Sequence, residues 1–171
     1  LPDGKMPIDC ANIPYDPTIG VEPGTATTDS PTGPVADVRV PFIAGGDSRA
    51  SSQTRRAQVT LPLGMGLNPS AANGLQTCTD AQFGKGTTNP VACPPASKVG
   101  VASINTPPLP DGSLTGTVWV GQQLSRDPTS GEQYRIFVQV SSERYGVTAR
   151  LLGKVSADPQ TGQLTTTFDD Q

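Results

Sequence analysis

The sequence contains no histidine, and this absence removes several mechanisms at once. Without histidine there is no Ser-His-Asp triad, no Cys-His nucleophile pair and no zinc site with histidine ligands. Aromatic residues make up 5% of the chain and include a single tryptophan. A glycosidase needs two carboxylates held close together, usually in an aromatic-lined cleft. A carboxylate-based hydrolase is therefore only a remote alternative, and the sequence predicts that the chain is not an enzyme.

Long apolar runs and basic clusters are also missing. No apolar stretch approaches the roughly 20 residues that a membrane-spanning helix needs. The formal net charge is -3, and the densest basic cluster is the pair Arg55 and Arg56. Nucleic-acid binding normally requires a basic patch. The sequence therefore predicts neither a nucleic-acid partner nor direct insertion into a membrane.

Glycine and proline are abundant, with 19 and 18 residues respectively, which indicates many turns and few long helices. Period-two alternation predicts strands between these turns. The clearest alternation is Tyr134, Ile136, Val138 and Val140, and the most distinct hairpin joins 147–155 to 164–168 through the turn ADPQTGQ. The predicted strands are 18–23, 35–43, 55–64, 97–105, 113–121, 132–142, 147–155 and 164–168.

This pattern predicts an all-β fold, an antiparallel β-sandwich of about eight short strands that is Ig-like or jelly-roll-like. The only helix expected is a short turn near 79–83, capped by Thr79 or Asp80. Residues 1–16 carry three prolines and no periodicity, so we expect an extended lead-in followed by one β-sandwich domain over 17–171. The chain opens on LPDGK and closes on FDDQ, and we expect it to be a fragment of a larger multi-module protein.

Three cysteines are present, and two of them bracket a polar loop. Cys78 and Cys93 are fifteen positions apart, and the secreted-type composition favours a disulfide between them. Two cysteines without histidine do not complete a zinc site, and a catalytic cysteine would lack its base. Cys10 is left over, either to pair with a cysteine preceding the chain or to remain a free thiol. We expect no cofactor and no metal.

Two further groups of residues are candidates for binding. Trp119 and Tyr134 are either core aromatics or platforms on which a sugar ring would stack, with the core role favoured. Several aspartates fall in loops, where they serve either turns or a calcium site without EF-hand spacing. These aspartates are Asp29, Asp47, Asp158, Asp169 and Asp170.

Five segments carry a resemblance to a known group of proteins. They read IDCANIPYDP (8–17), VTLPLGMGLNPSAANGLQTCTDAQFG (59–84), CPPASKVGVASINTP (93–107), LTGTVWVGQ (114–122) and GKVSADPQTGQLTTTFDD (153–170). Together they resemble β-rich repeat modules of large secreted or surface proteins of actinobacteria. The resemblance implies an extracellular module that occurs in tandem, and it supplies no catalytic residue.

Three functions follow from these observations. The sequence favours a non-catalytic structural or adhesive module of a secreted or cell-surface protein, located outside the cell or on its surface. The partners of such a module would be other modules of the same chain or components of the cell surface. A carbohydrate-binding module that uses Trp119 or Tyr134 is the alternative, and the hydrolase is the remote one.

Overall fold

The computed structural model describes residues 15–41, 54–66, 73–127 and 130–169. These residues contain eight β-strands, one four-residue helix and a three-residue 3₁₀ turn at Pro95–Ser97. The chain divides into two compact units, residues 1–54 and 55–171. Each unit has its own antiparallel sheet.

The first unit contains a two-stranded ribbon. β1 (Thr18–Pro23) pairs antiparallel with β2 (Pro34–Arg39). Thr25, Thr27 and Thr32 link the intervening loop through hydroxyl hydrogen bonds. The alternation at 35–43 predicts a half-buried strand, but every residue of β2 is exposed, and Val38 is 48% exposed. That part of the prediction is wrong because a two-stranded ribbon buries neither of its own faces.

The second unit contains six strands, with the bounds β3 Ala57–Thr60, β4 Lys98–Ile104, β5 Leu114–Gly121, β6 Tyr134–Ser142, β7 Val147–Ala157 and β8 Leu164–Phe168. They form one antiparallel sheet in the order β3-β8-β7-β6-β5-β4. Its consecutive strands β4 to β8 form a meander, because each pairs with the next strand along the chain. β3 pairs with β8 and so joins the sheet at one edge.

The two faces of this sheet carry different side chains. One face, here called the apolar face, packs Leu114, Val138 and Val140 into a cluster with aliphatic neighbours from β4 and β7. The other face, here called the loop face, carries the alternate residues, including Trp119, Phe137 and Leu152. Phe137 is fully buried beneath the segment that joins β3 to β4. That segment contains the helix α1 (Asp80–Phe83) and both cysteines of the second unit.

The predicted fold class is confirmed, because the described residues form an antiparallel all-β structure of eight strands, consistent with a β-sandwich. The helical turn is confirmed at Asp80–Phe83, with Thr79 as its N-cap. The hairpin of β7 and β8 is confirmed as well. The division into a lead-in at 1–16 and one domain at 17–171 stays a prediction, and most of the lead-in lies outside the described residues. Cys10, Asp47 and Asp170 lie outside them too.

Candidate functional site: the disulfide loop on the sheet

The candidate site is the segment from Cys78 to Cys93, here called the disulfide loop. A disulfide joins the two cysteines, whose Cα atoms are 5.0 Å apart, and this confirms the pairing predicted from their spacing. Closing a loop of this length stabilises the folded chain by about 3 kcal/mol in the chain-entropy account. The disulfide thus closes the loop independently of the side chains that attach it to the sheet.

The backbone attaches the start of the loop to the end of β5. The Cys78 amide donates to the Val120 carbonyl at 2.8 Å, and the Gln122 amide donates to the Cys78 carbonyl at 2.7 Å. Cys78 therefore lies beside Gly121 as a one-residue extension of the sheet edge. The Ala92 amide donates to the Gln82 carbonyl at 2.7 Å, which closes the loop a second time near Cys93.

The helix α1 has a complete N-terminal cap. Thr79 accepts a hydrogen bond from the Gln82 amide, and the Gln82 side chain accepts one from the Thr79 amide at 2.9 Å. This reciprocal pattern is a capping box, which satisfies amide groups that a four-residue helix cannot satisfy alone. Gly84 ends the helix in the left-handed conformation, with φ of 71°. Glycine adopts this conformation without the steric penalty other residues incur.

An aromatic stack anchors the loop to the sheet. Phe83, at the end of α1, is fully buried and stacks on Phe137 with ring centroids 4.7 Å apart. Trp119 meets Phe83 edge-on at 6.0 Å and packs against the same cluster. Gly121 makes room for the stack, because a Cβ there would lie 2.8 Å from the Phe137 ring. Offset and edge-on pairs of this kind contribute about 0.5–1.5 kcal/mol beyond the apolar area they bury.

Arg150, from β7, binds the backbone of the loop. Its guanidinium donates to the carbonyls of Gly84 and Thr87, each at 2.8 Å, and also to the carbonyl of Asn89. It donates from Nε to the Gln139 side chain at 2.8 Å, and it lies 5.7 Å from the centroid of Phe83. A fixed guanidinium fork is well suited to several carbonyls at once, because its donors lie in one plane.

Arg135, from β6, makes the second charged attachment. Only 6% of its side chain is exposed, and its Nη2 lies 2.7 Å from the Asp80 Oδ1 in the first turn of α1. Lys85 approaches the other oxygen of Asp80 at 3.4 Å. The Arg135 guanidinium also lies 4.9 Å from the centroid of Phe137. Arg135 is the buried member of this ion pair, and without Asp80 its charge would lose its carboxylate partner. The contact therefore holds α1 against the sheet.

The two aromatic residues predicted as stacking platforms do not come together. Trp119 lies on the loop face, half-buried against Phe83, whereas Tyr134 is in register with Val155 on the apolar face and is 38% exposed. They are therefore on opposite faces of the sheet and do not form a shared platform. A stacking role for either residue alone stays a prediction.

The acidic residues that are described also occupy separate places. Asp158 begins the turn between β7 and β8, and Asp169 follows β8, where its Oδ1 lies 3.0 Å from Arg56 Nε. Among the described ranges, no group of three or more His, Cys, Asp or Glu residues is placed to hold a metal ion. A shallow depression beside Asp158 is lined by Ser156, Ala157, Gln163 and Thr165.

Sequence reasoning found the disulfide and the cap of α1 but missed Arg135 and Arg150. Neither arginine carries a local signal, because their partners lie far away along the chain. A weak signal existed for both: each occupies the face of its strand that also carries Phe137 and Leu152. A charged residue on a face that also carries core residues needs a specific partner.

Comparison of the chain with protein-family profiles, with curated proteins and with solved structures gave no match. Within the described part of the chain, no helix has the length and hydropathy of a membrane span.

Proposed function

We propose that this chain is a non-catalytic structural or adhesive module of a secreted or cell-surface protein. One observation carries the proposal: the arginine, aspartate and cysteine side chains that could take part in chemistry at this site instead hold the disulfide loop on the sheet. Arg135 and Arg150 bind the loop, Asp80 forms an ion pair with Arg135, and both cysteines are joined to each other.

The way the loop is fastened supports an extracellular setting. Disulfides persist in oxidising compartments and are rare in the cytosol. Here the covalent bond is reinforced by an aromatic stack and by two arginines, so that one loop is fixed by independent means. The polar, weakly charged composition is in keeping with the same compartment. In line with the resemblance described above, we also propose that the module is one of several in a large actinobacterial surface protein.

Labelling of intact cells tests this proposal. Cells that make the protein are treated with a membrane-impermeant amine reagent and then with a thiol-blocking reagent, without reduction. We expect label on exposed lysines such as Lys85, and Cys78 and Cys93 recovered as one disulfide-linked pair. Lysed cells provide the control, because there the reagent reaches every compartment. A chain labelled only after lysis, with both cysteines blocked as free thiols, would rule out the extracellular role.

A further inference from the structure

The six-stranded sheet ends in two edge strands that differ in how they are protected. β3 is four residues long, and an ion pair between Arg56 and Asp169 lies at its start. β4 is seven residues long, reads KVGVASI and carries a single charge, on Lys98. No other strand of the described residues pairs with its outer edge. Natural sheets usually protect an edge by shortness, charge or proline. The protection of β4 is confined to its start, where Lys98 and a register shift lie, and the edge from Gly100 to Ile104 carries neither charge nor proline.

The side chains of β4 reinforce this difference. Val101 is 77% exposed and Val99 is 47% exposed. A register shift near Lys98 disturbs the start of the strand, whereas the pairing from Gly100 to Ile104 with β5 is continuous. On the apolar face, Ala102 and Ile104 pack against the Leu114, Val138 and Val140 cluster. A strand added at this edge would therefore extend the apolar face, and it would cover Val101 on the loop face.

We propose that β4 is a homotypic pairing surface, on which a second copy of this module adds its own β4 strand in antiparallel orientation with the two Val101 residues opposite each other. The distribution of charge makes β4 compatible with a second copy of itself in the antiparallel orientation. In a parallel pair Lys98 would lie beside Lys98, whereas the antiparallel pair puts it opposite Ile104. Like charges directly opposite each other are destabilising, whereas a β-branched side chain packs well against its neighbours on a pleated sheet.

This inference rests on the proposed structural role, because a second copy of the module is the partner with which a structural module would assemble. The pairing would join two six-stranded sheets edge to edge. Main-chain hydrogen bonds would provide the contact, as in other cases of strand addition. Val101 would provide the specificity, since a charge at this position would stand opposite its own copy.

The first test measures self-association by sedimentation velocity from micromolar to millimolar concentration. Cys10 is replaced by Ser throughout, so that no covalent dimer forms through the third cysteine. We expect a monomer–dimer equilibrium that Val101→Lys weakens by at least about tenfold. Val35→Lys is the matched control, because Val35 is a strand valine with 65% exposure in the other unit. A chain that stays monomeric throughout, or equal effects of the two substitutions, would overturn the inference.

The second test determines the register by cross-linking. Opposite residues of antiparallel strands have Cα atoms about 4.5–5.5 Å apart, which is within disulfide reach. Oxidised Val101→Cys is therefore expected to form a covalent dimer. In the same pairing two Ser103 residues are offset by about 14 Å along the strands, so Ser103→Cys is expected not to cross-link. Cross-linking through position 103 but not 101 would overturn the pairing. A monomer that is still labelled on intact cells would overturn this inference and leave the proposed function standing.

Discussion

At the scale of single residues, Arg150 explains most about why the disulfide loop lies where it does. Its guanidinium donates to three loop carbonyls, of which the Gly84 carbonyl also accepts from the Thr87 amide and hydroxyl. A hydrogen bond that involves a charged group contributes about 1.5–3 kcal/mol, and an unsatisfied buried partner costs about 1–3 kcal/mol. Arg150 therefore fixes the middle of the loop, whereas the disulfide fixes only its two ends.

Arg150→Met tests this role while keeping the unbranched apolar stem. We expect the free energy of unfolding in urea to fall by about 2 kcal/mol, because three loop carbonyls each lose a hydrogen bond from a charged donor. The matched control is Arg144→Met, since Arg144 is exposed in the turn after β6 and contacts only the neighbouring Tyr145 ring among the interactions described. We expect the control to change stability by less than about 0.5 kcal/mol. Equal effects would mean that Arg150 does not hold the loop.

At the residue scale, the sequence predicts contacts between residues that lie close together along the chain, but not those between distant residues. The spacing of Cys78 and Cys93 and the Thr79 cap could be predicted, because each depends on residues close together along the chain. The contacts of Arg150 could not be predicted, because its loop partners precede it by 61 to 66 residues and are backbone carbonyls, which carry no residue signature.

At the scale of elements, strict alternation and turn chemistry determined which predictions of strand bounds succeeded. β1 and β8 begin and end at the residues predicted. The strand predicted at 55–64 forms only as Ala57–Thr60. Leu61 still donates its amide to Leu164, but Pro62 has no amide hydrogen with which to continue the ladder. The alternation of apolar residues does not show where the ladder of main-chain hydrogen bonds stops. It therefore predicts strands that are too long where the segment contains a proline.

The turn between β7 and β8 yields a prediction about pH. The Thr161 amide, the Thr161 hydroxyl and the Gln160 amide donate to Asp158 and lower the pKa of its carboxyl. A carboxyl with a lowered folded-state pKa stabilises the folded state above its unfolded pKa, and this stabilisation is lost as the pH falls through the folded pKa. The stability of the folded state therefore depends on the titration of Asp158 below about pH 4 and not near neutral pH.

NMR titration of the Asp158 carboxyl carbon checks this expectation directly. We expect its midpoint below the value of about 3.9 found in model peptides, with the Thr161 amide shift following the same curve. Asp158→Asn keeps an oxygen acceptor for the turn but does not titrate, so the Thr161 amide should no longer move in this range. A midpoint at or above the model value would contradict the assigned hydrogen bonds.

At the scale of the whole molecule, the disulfide loop is part of the folded sheet of the second unit and not a flexible appendage. Backbone bonds at Cys78, the stack on Phe137 and two arginines all join it to strands β5, β6 and β7. These contacts connect residues far apart in sequence. The all-β class could be predicted from alternation alone, whereas this docking depends on the register between strands, which alternation does not determine.

Hydrogen exchange of the oxidised chain tests this central claim most directly. The informative amides are those of Cys78 and Ala92, which donate to Val120 and Gln82, compared with amides paired between β6 and β7. If the loop unfolds only with the sheet, its two amides should exchange with the same opening free energy as the sheet, and reduction of the disulfide should lower that free energy by about 3 kcal/mol. Exchange of the loop amides at unprotected rates, while β6 and β7 stay protected, would contradict the account.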